Sequence, residues 1–175
     1  MGWLDEVGDT VAAEFADFGD VPQITRIVVR LGLAALLGFA LGFEREQRGK
    51  AAGIRTHMLV AIGSALFVLV PQSSGIVAAD MSRVIQGLIA GVGFLCAGTI
   101  LKSGREEQQV QGLTSAAGLW TTAAIGMACG LGREMMALFS TLLALAVLGL
   151  MPRLVGLVER ALGDPGDKPR TPPQR

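Results

Sequence analysis

The sequence predicts an all-α membrane protein, a bundle of about five transmembrane helices, and three observations lead to this fold class. Of the 175 residues, 51% are hydrophobic and only 17% are charged, which is more apolar than one small soluble core usually is. The apolar residues are mostly small, with 24 glycines and few aromatic residues, as expected where helices pack closely in lipid. Charged residues gather between long apolar runs, the pattern of a chain that leaves a membrane and re-enters it.

The densest group of charges lies in residues 42–60, GFEREQRGKAAGIRTHMLV. The apolar runs on either side, residues 31–43 and 58–70, carry no charge. A charged turn between two apolar helices is expected at a membrane surface. Its seven ionisable side chains are Glu44, Arg45, Glu46, Arg48, Lys50, Arg55 and His57.

Five apolar spans are predicted along the chain. They cover residues 24–43, 56–70, 84–101, 113–131 and 135–151. A helix rises 1.5 Å per residue, so about 20 residues cross a hydrocarbon core of about 30 Å. The shorter spans need polar ends that reach the interface, such as Arg26 and Arg30 on the first span and Thr56 and His57 on the second.

The positions of the Lys and Arg residues predict the orientation of the bundle. The connections after the first and third spans, together with the C-terminal tail, hold 11 of the 15 basic residues. Basic residues favour the cytoplasmic side, so the N-terminus is predicted outside and the C-terminus in the cytoplasm. This orientation requires an odd number of spans, which agrees with five.

Three regions are predicted: an acidic segment (1–22), the transmembrane domain (23–152) and a tail (153–175). The first segment places apolar residues three or four apart, so it forms an amphipathic helix on the membrane surface or, alternatively, a mobile acidic terminus. Its first 20 residues contain six acids and no Lys or Arg, which argues against a nucleic-acid surface and a secretory signal peptide. The tail begins with an amphipathic piece that continues the last helix past Pro152, and residues 164–175 are predicted to be disordered.

The charged groups at the membrane boundary are the candidate functional residues. Charges close to a span need a partner or a polar cavity, so we expect Glu44 and Glu46 to pair with Arg55, His57 or Lys102. On the outer side, Arg30 is predicted to pair with Asp80. The alternative interpretation is that these charges only set the topology. The predicted site residues are Glu44, Arg45, Glu46, Arg55, Thr56, His57, Asp80 and Arg83.

Pairs of glycines four residues apart predict faces where helices touch backbone to backbone. These faces pack either within one subunit or between the subunits of a homo-oligomer. The hydroxyl groups of residues 113–131 either bond to their own helix backbone or line a polar seam. The predicted packing glycines are Gly38, Gly42, Gly87, Gly91, Gly126 and Gly130.

Signals for enzymatic chemistry are weak. The chain has one histidine, no zinc-protease motif and no phosphate-binding loop, so no catalytic residue, metal site or cofactor is predicted. Cys96 and Cys129 lie in apolar runs and are expected to be packed thiols. The predicted partners are the lipid bilayer, further copies of the chain and another membrane protein, with no nucleic acid.

Several segments in this order resemble the MgtC/SapB family of bacterial inner-membrane proteins. They are GFALGFERE (38–46), AGIRTHMLVAIGSALF (52–67), DMSRVIQ (80–86), GVGFLCAGTILK (91–102) and GLTSAAGLWTTAAIGMACGLG (112–132). The combination is specific, whereas any one segment alone is not. The chain departs from the family pattern at Cys96, where glycine is more usual, and its 175 residues do not include the soluble C-terminal domain of longer members.

The resemblance implies a multi-pass protein of the plasma membrane linked to growth under magnesium limitation and, in pathogens, to survival inside macrophages. Some members resemble regulators that act on other membrane proteins, including the ATP synthase. The function expected is therefore a non-enzymatic membrane regulator. The alternative is a transporter or channel for a cation such as Mg²⁺.

Overall fold

The computed structural model describes residues 2–14, 20–103 and 112–162, and this part of the chain is helical without any strand. The predicted all-α fold class is therefore confirmed. Short connections join most of the helices, and glycines with positive φ lie at Gly75 and Gly132, where the chain reverses direction. The six helices are α1 (Trp3–Glu14), α2 (Val21–Gln47), α3 (Ile54–Ser73), α4 (Ala78–Ser103), α5 (Leu113–Gly130) and α6 (Glu134–Leu162).

Helices α2 to α6 run up and down the bundle. The end that contains the C-terminus of α2 and the N-termini of α3 and α5 is called the cluster end, because Arg45 of α2 bonds there to Ser115 of α5. The opposite end is called the Arg30 end, because Arg30 of α2 bonds there to Gln72 of α3. Each helix therefore begins at the end where the helix before it stopped.

Helix α5 lies at the centre of the bundle. It packs against α2, α3, α4 and α6. Nine of its 18 residues are buried. Helix α4 packs only on α3 and α5, and α6 only on α2 and α5, among the residues described. The charged side chains of α2 therefore meet α3, α5 and α6 but not α4.

Four of the predicted glycines bring these helices into backbone contact. A Cβ at Gly38 would lie 2.8 Å from the carbonyl oxygen of His57, and one at Gly42 would lie 2.6 Å from the Cα of Ile54, so α2 and α3 touch. Gly126 and Gly130 of α5 approach Ala61 and Ala65 of α3 equally closely. A Cβ on Gly87 or Gly91 of α4 would meet no atom within 4 Å, in contrast.

The outer surface of the bundle is apolar. Phe94, Met135 and Phe139 expose 80%, 77% and 68% of their surface, respectively. Soluble monomers rarely expose contiguous apolar areas of this kind, so this surface fits lipid. The core is rich in small side chains such as Ala34, Ala61 and Ala65, as predicted for helices packed in a membrane.

Four of the five predicted spans meet the length and hydropathy of a membrane-crossing helix: α2, α3, α4 and α6. Helix α5 is the exception because its hydroxyl groups and glycines lower its hydropathy. The chain is thus a polytopic helical membrane protein. The N-terminus-outside orientation stays a prediction.

The two ends of the chain differ in how they relate to the bundle. Helix α1 has no buried residue and packs against no other described helix, with Trp3 72% exposed. Helix α6 continues through Pro152 to Leu162, as the amphipathic pattern predicted. Residues 15–19 and 163–175, including Phe15, Phe18 and the predicted disordered tail, lie outside the described residues.

Candidate functional site

Arg45 is a charged side chain inside the bundle. It lies three residues after Gly42, in the last turns of α2, and is only 2% exposed. Its Nη2 donates a hydrogen bond to Oγ of Ser115 on α5 at 3.1 Å, and its Nη1 lies 4.0 Å from Oε2 of Glu44. Its Nε has no hydrogen-bond partner within the described residues. A guanidinium in such a place is costly unless its charge is matched nearby.

Glu44 matches that charge, and it also binds Arg48. The Nε of Arg48 lies 2.7 Å from Oε1 of Glu44, one helical turn away. Neither carboxylate oxygen has the geometry of a hydrogen bond to a described residue, so the attraction is that of an ion pair. Arg48 also donates to the carbonyl oxygens of Leu148 at 2.7 Å and Gly149 at 3.4 Å, which ties the end of α2 to α6.

His57 is fully buried in the first turn of α3. Its Nδ1 lies 2.9 Å from the carbonyl oxygen of Gly53, one turn earlier. A carbonyl oxygen only accepts, so Nδ1 carries the proton of this hydrogen bond. The other ring nitrogen, Nε2, has no partner among the described residues. His57 therefore presents an unused lone pair inside the protein when the ring is neutral.

Together these side chains form a buried charge cluster, defined as Glu44, Arg45, Arg48, His57 and Ser115. The cluster holds one carboxylate and two guanidinium groups, so it is net positive with a neutral histidine. Buried polar atoms normally have partners, yet both Glu44 oxygens, Arg45 Nε and His57 Nε2 lack hydrogen bonds in the described part of the chain. The cluster end thus contains buried polar atoms that form no hydrogen bond within the described residues.

Two of the three partners predicted for the glutamates, Arg55 and His57, were wrong. Glu44 pairs with Arg48 and Arg45 rather than with Arg55 or His57. Glu46 accepts a hydrogen bond from the backbone N–H of Ile54 at 2.8 Å and so caps α3, whose N-cap residue Gly53 has no side chain to do it. The side chain of Lys102 lies outside what the structure describes.

The remaining predicted site residues lie apart from the cluster. Arg55 and Thr56 are exposed at the start of α3, where they line a cavity of about 420 Å³ between α3 and α4. Asp80 and Arg83 lie in the first turns of α4, at the Arg30 end, on the side of the bundle opposite the cluster. The eight predicted residues are therefore divided between the two ends, as their positions between the spans implied.

Arg30 has partners other than the one predicted. Its Nη1 donates to Oε1 of Gln72 at 2.8 Å and to the carbonyl oxygen of Gly130 at 2.9 Å, and its Nε lies 3.8 Å from Oε1 of Glu134. The predicted pair with Asp80 was wrong because α4, which carries Asp80, does not pack against α2 among the described residues. Arg30 instead connects α2, α3, α5 and α6 at their ends.

Two members of the cluster, Arg48 and Ser115, are not among the predicted site residues. Arg48 lies in the predicted charged turn but is not among the predicted site residues, although its spacing from Glu44 is the i, i+4 spacing of a helical ion pair. Ser115 is predicted only as one of the hydroxyl groups of residues 113–131. No local signal points to its contact with Arg45, because that contact depends on how α5 is turned toward α2.

The hydroxyl groups of α5 divide between the two predicted roles. Thr121 donates to the carbonyl oxygen of Ala117 at 2.9 Å and Thr122 to that of Gly118 at 2.8 Å, so these two bond to their own helix.

Both cysteines are free thiols, as predicted. No group of three His, Cys, Asp or Glu side chains within the described residues is arranged to hold a metal ion.

The fold and the site define a class: a polytopic helical membrane protein with a net positive charge cluster buried at one end of a glycine-packed bundle. The comparison with protein families makes the assignment specific. Residues 31–157 match the model of the MgtC family, and the chain belongs to that family. The resemblance found in the sequence is thereby confirmed.

Relatives from several bacteria agree with this assignment. The chain is 42% identical to YhiD of Escherichia coli (strain K12), described as a candidate magnesium transporter, over 73% of this chain and 61% of YhiD. It is 45% identical to SrpB of Synechococcus elongatus over 71% of this chain and 74% of SrpB. It is 44% identical to MgtC of Brucella abortus over 72% of this chain and 51% of that protein.

The chain thus spans about three fifths of YhiD and half of the Brucella MgtC. No solved structure matches it.

Proposed function

We propose that this protein is a multi-pass protein of the bacterial inner (plasma) membrane that acts as a non-enzymatic regulator of growth under magnesium limitation. In this proposal the protein acts by binding another membrane protein at the cluster end. Membership of the MgtC family and the description of YhiD as a candidate magnesium transporter support the link to magnesium. The net positive charge cluster supports regulation rather than transport of the ion.

The charge balance of the cluster is the observation that carries the proposal. A site for Mg²⁺ is built from converging oxygen ligands, usually carboxylates, with waters completing an octahedron. The cluster has a single carboxylate, Glu44, and two guanidinium groups already lie beside it. A divalent cation entering this region would be repelled by Arg45 and Arg48. The cluster is better suited to an anionic group of a partner.

Close packing of the helices supports the same proposal. Gly38 and Gly42 bring α2 against α3, and Gly126 and Gly130 bring α5 against α3, with backbone atoms in contact. An ion pathway needs a polar space along the bundle. The core between these three helices is filled by apolar side chains such as Ala34, Leu41 and Ile125 instead.

Flux into proteoliposomes tests the proposal against the alternative. The purified protein is reconstituted in vesicles that contain a Mg²⁺-sensitive dye, and uptake is compared with that of empty vesicles. We expect no saturable uptake of Mg²⁺. Saturable uptake that is lost in Glu44→Gln, while the variant stays folded, would overturn the regulator proposal and establish a transporter.

The transporter remains the second candidate because of one feature of the cluster. Both oxygens of Glu44 lack hydrogen bonds within the described residues, although the carboxylate is largely buried. Such oxygens could take a cation if the two arginines moved away. The flux measurement distinguishes this candidate from the regulator.

A partner at the cluster end can be tested with exposed residues. Arg55 lies at the surface of that end, and Arg26 is an exposed arginine near the Arg30 end. The protein is cross-linked in membranes of cells grown at low magnesium, and the partners are identified by mass spectrometry. Arg55→Ala should lose a specific partner and reduce growth at low magnesium, whereas Arg26→Ala should change neither. Equal effects of the two variants would contradict the proposal.

Self-association is proposed through α4. The other two predicted glycine pairs already contact α3 within the subunit, whereas Gly87 and Gly91 leave open space beside α4. Small residues let helices of two subunits approach closely. Gly87→Leu should therefore reduce the mass of the protein in mild detergent, and Gly63→Leu, at another open position, should not.

A further inference from the structure

We propose that a pocket between α5 and α6 binds an apolar molecule with a hydroxyl group, such as a long-chain alcohol or a monoacylglycerol, and that this hydroxyl donates a hydrogen bond to His57. The pocket has a volume of about 440 Å³ and is called the His57 pocket. Pockets of about 300 to 1,000 Å³ are typical of small-molecule sites. Its lining includes Leu41, His57, Gly118, Thr121, Ser140 and Leu143.

The chemistry of the ligand follows from the two ring nitrogens of His57. Nδ1 faces the carbonyl oxygen of Gly53 at 2.9 Å and must carry a proton. In the neutral ring Nε2 is then an acceptor without a hydrogen. His57 is fully buried, and a charged ring is costly to bury, so the ligand is considered for the neutral ring. The ligand must therefore supply an O–H or N–H donor.

Within the described residues the protein does not supply this donor. His57 is fully buried, yet its Nε2 has no hydrogen-bond partner. The hydroxyl of Thr121 already donates to the carbonyl oxygen of Ala117. A Cβ added to Gly118 would lie 3.6 Å from Nε2, so this buried nitrogen faces the part of the pocket wall that Gly118 forms.

The position of the pocket indicates a lipid rather than a water-soluble molecule. Its wall follows α5 from Thr114 to Thr121, about 10 Å at 1.5 Å per residue. On the α6 side Leu143 and Val147 are 56% and 51% exposed, so the pocket opens onto the surface that faces lipid. Its lining is mainly apolar. A hydrocarbon chain fits along α6, and the hydroxyl group lies at the cluster end, near the membrane boundary.

Selective labelling of the single histidine provides a direct test. The full chain is labelled with ¹⁵N-histidine and placed in phosphatidylcholine nanodiscs, and the Nε2 signal is followed during titration with 1-dodecanol. We expect a saturable shift toward the hydrogen-bonded form. Dodecane, which lacks the hydroxyl group, should not produce it. An identical response to both, or no shift with dodecanol, would overturn the proposal.

Water is the competing occupant. A bound water would give an Nε2 signal that is already hydrogen-bonded before the titration and does not respond to dodecanol. That result would also overturn the proposal. A lipid that stays bound through purification can be detected by extraction and mass spectrometry. A lipid with a hydroxyl group, recovered in a fixed ratio to the protein, would support the proposal.

A pair of glycine variants tests the location. Gly118→Ala places a methyl group in van der Waals contact with Nε2 without a clash, so the protein should fold. Because the hydroxyl then loses access to the acceptor, the apparent Kd for dodecanol should rise about tenfold. Gly98→Ala on α4, where a Cβ meets no atom within 4 Å, is the matched control and should bind as the wild type does. Unchanged binding by Gly118→Ala would exclude this pocket.

Discussion

The two ends of the bundle each place an arginine of α2 among other helices, but they use it differently. Arg30 bonds to a side-chain amide and a backbone carbonyl, lies near Glu134 and remains partly exposed. Arg45 is 2% exposed, bonds to Ser115 and leaves its Nε without a hydrogen bond to any described residue. Arg30 therefore holds helix ends together, whereas Arg45 belongs to a buried group with unused polar atoms.

This difference between Arg30 and Arg45 indicates which end of the bundle has a role in function. A satisfied polar network mainly stabilises the fold, and replacing it costs stability alone. A buried group with unsatisfied atoms persists at a free-energy cost, which is a reason to look for a role in binding. The cluster end should thus be sensitive in function as well as in stability, and the Arg30 end in stability only.

The largest effect is expected at Arg45. Glu44→Gln leaves the buried Arg45 guanidinium without a carboxylate, and an uncompensated buried charge typically lowers the free energy of unfolding by about 3 to 5 kcal/mol. Reversible unfolding in mixed micelles measures it. The double variant Glu44→Gln/Arg45→Met should recover much of the stability because the buried guanidinium is gone and Arg48, which loses its carboxylate, is 31% exposed, but it should not restore growth at low magnesium. Full recovery of growth would show that the cluster is structural.

Arg30→Met should have the next largest effect. It leaves Oε1 of Gln72 and the carbonyl oxygen of Gly130 without their donor, and hydrogen bonds to charged groups are worth about 1.5 to 3 kcal/mol. The protein that remains folded should support growth as the wild type does. The control is Arg26→Met on the same helix, with no expected change. If Arg30→Met reduced growth by more than the loss of folded protein explains, Arg30 would also have a functional role. The two ends would then not differ in this respect.

Gly42→Ala tests how closely α2 and α3 must approach at the cluster end. The new Cβ would lie 2.6 Å from the Cα of Ile54, and such overpacking costs about 1 to 3 kcal/mol. Gly32→Ala on the same helix meets open space and should stabilise α2 by about 0.5 to 1 kcal/mol. The same unfolding measurement compares them. If both variants were equally stable, the close contact would be unnecessary.

The smallest effect is expected at Glu46. Glu46→Ala removes the hydrogen bond to the N–H of Ile54 and should cost about 1 kcal/mol, the usual value of a helix cap. Glu46→Gln keeps an acceptor oxygen and should retain most of the stability. Amide hydrogen exchange in the first turn of α3 reports the difference directly. Equal exchange in the two variants would contradict the capping role.

Much of the architecture could be predicted because it depends on local composition. The apolar runs gave the positions of α2 to α6 within a few residues at most ends, and the glycine spacing located the contacts of Gly42 and Gly126. Side-chain partners could not be predicted in the same way. Glu46 illustrates this, since its role as a cap of α3 depends on the exact turn between two helices.

The sequence by itself determined that the chain crosses lipid and that charges gather at one turn, because the transfer free energy of a segment depends on its own residues. Only the tertiary structure decided that Arg30 meets Gln72 and Gly130 rather than Asp80, and that Arg45 reaches Ser115. The physical reason is that such contacts depend on which helices are neighbours and how each is rotated. The neighbours and the rotation of each helix result from packing over the whole bundle, so they cannot be read from any single segment.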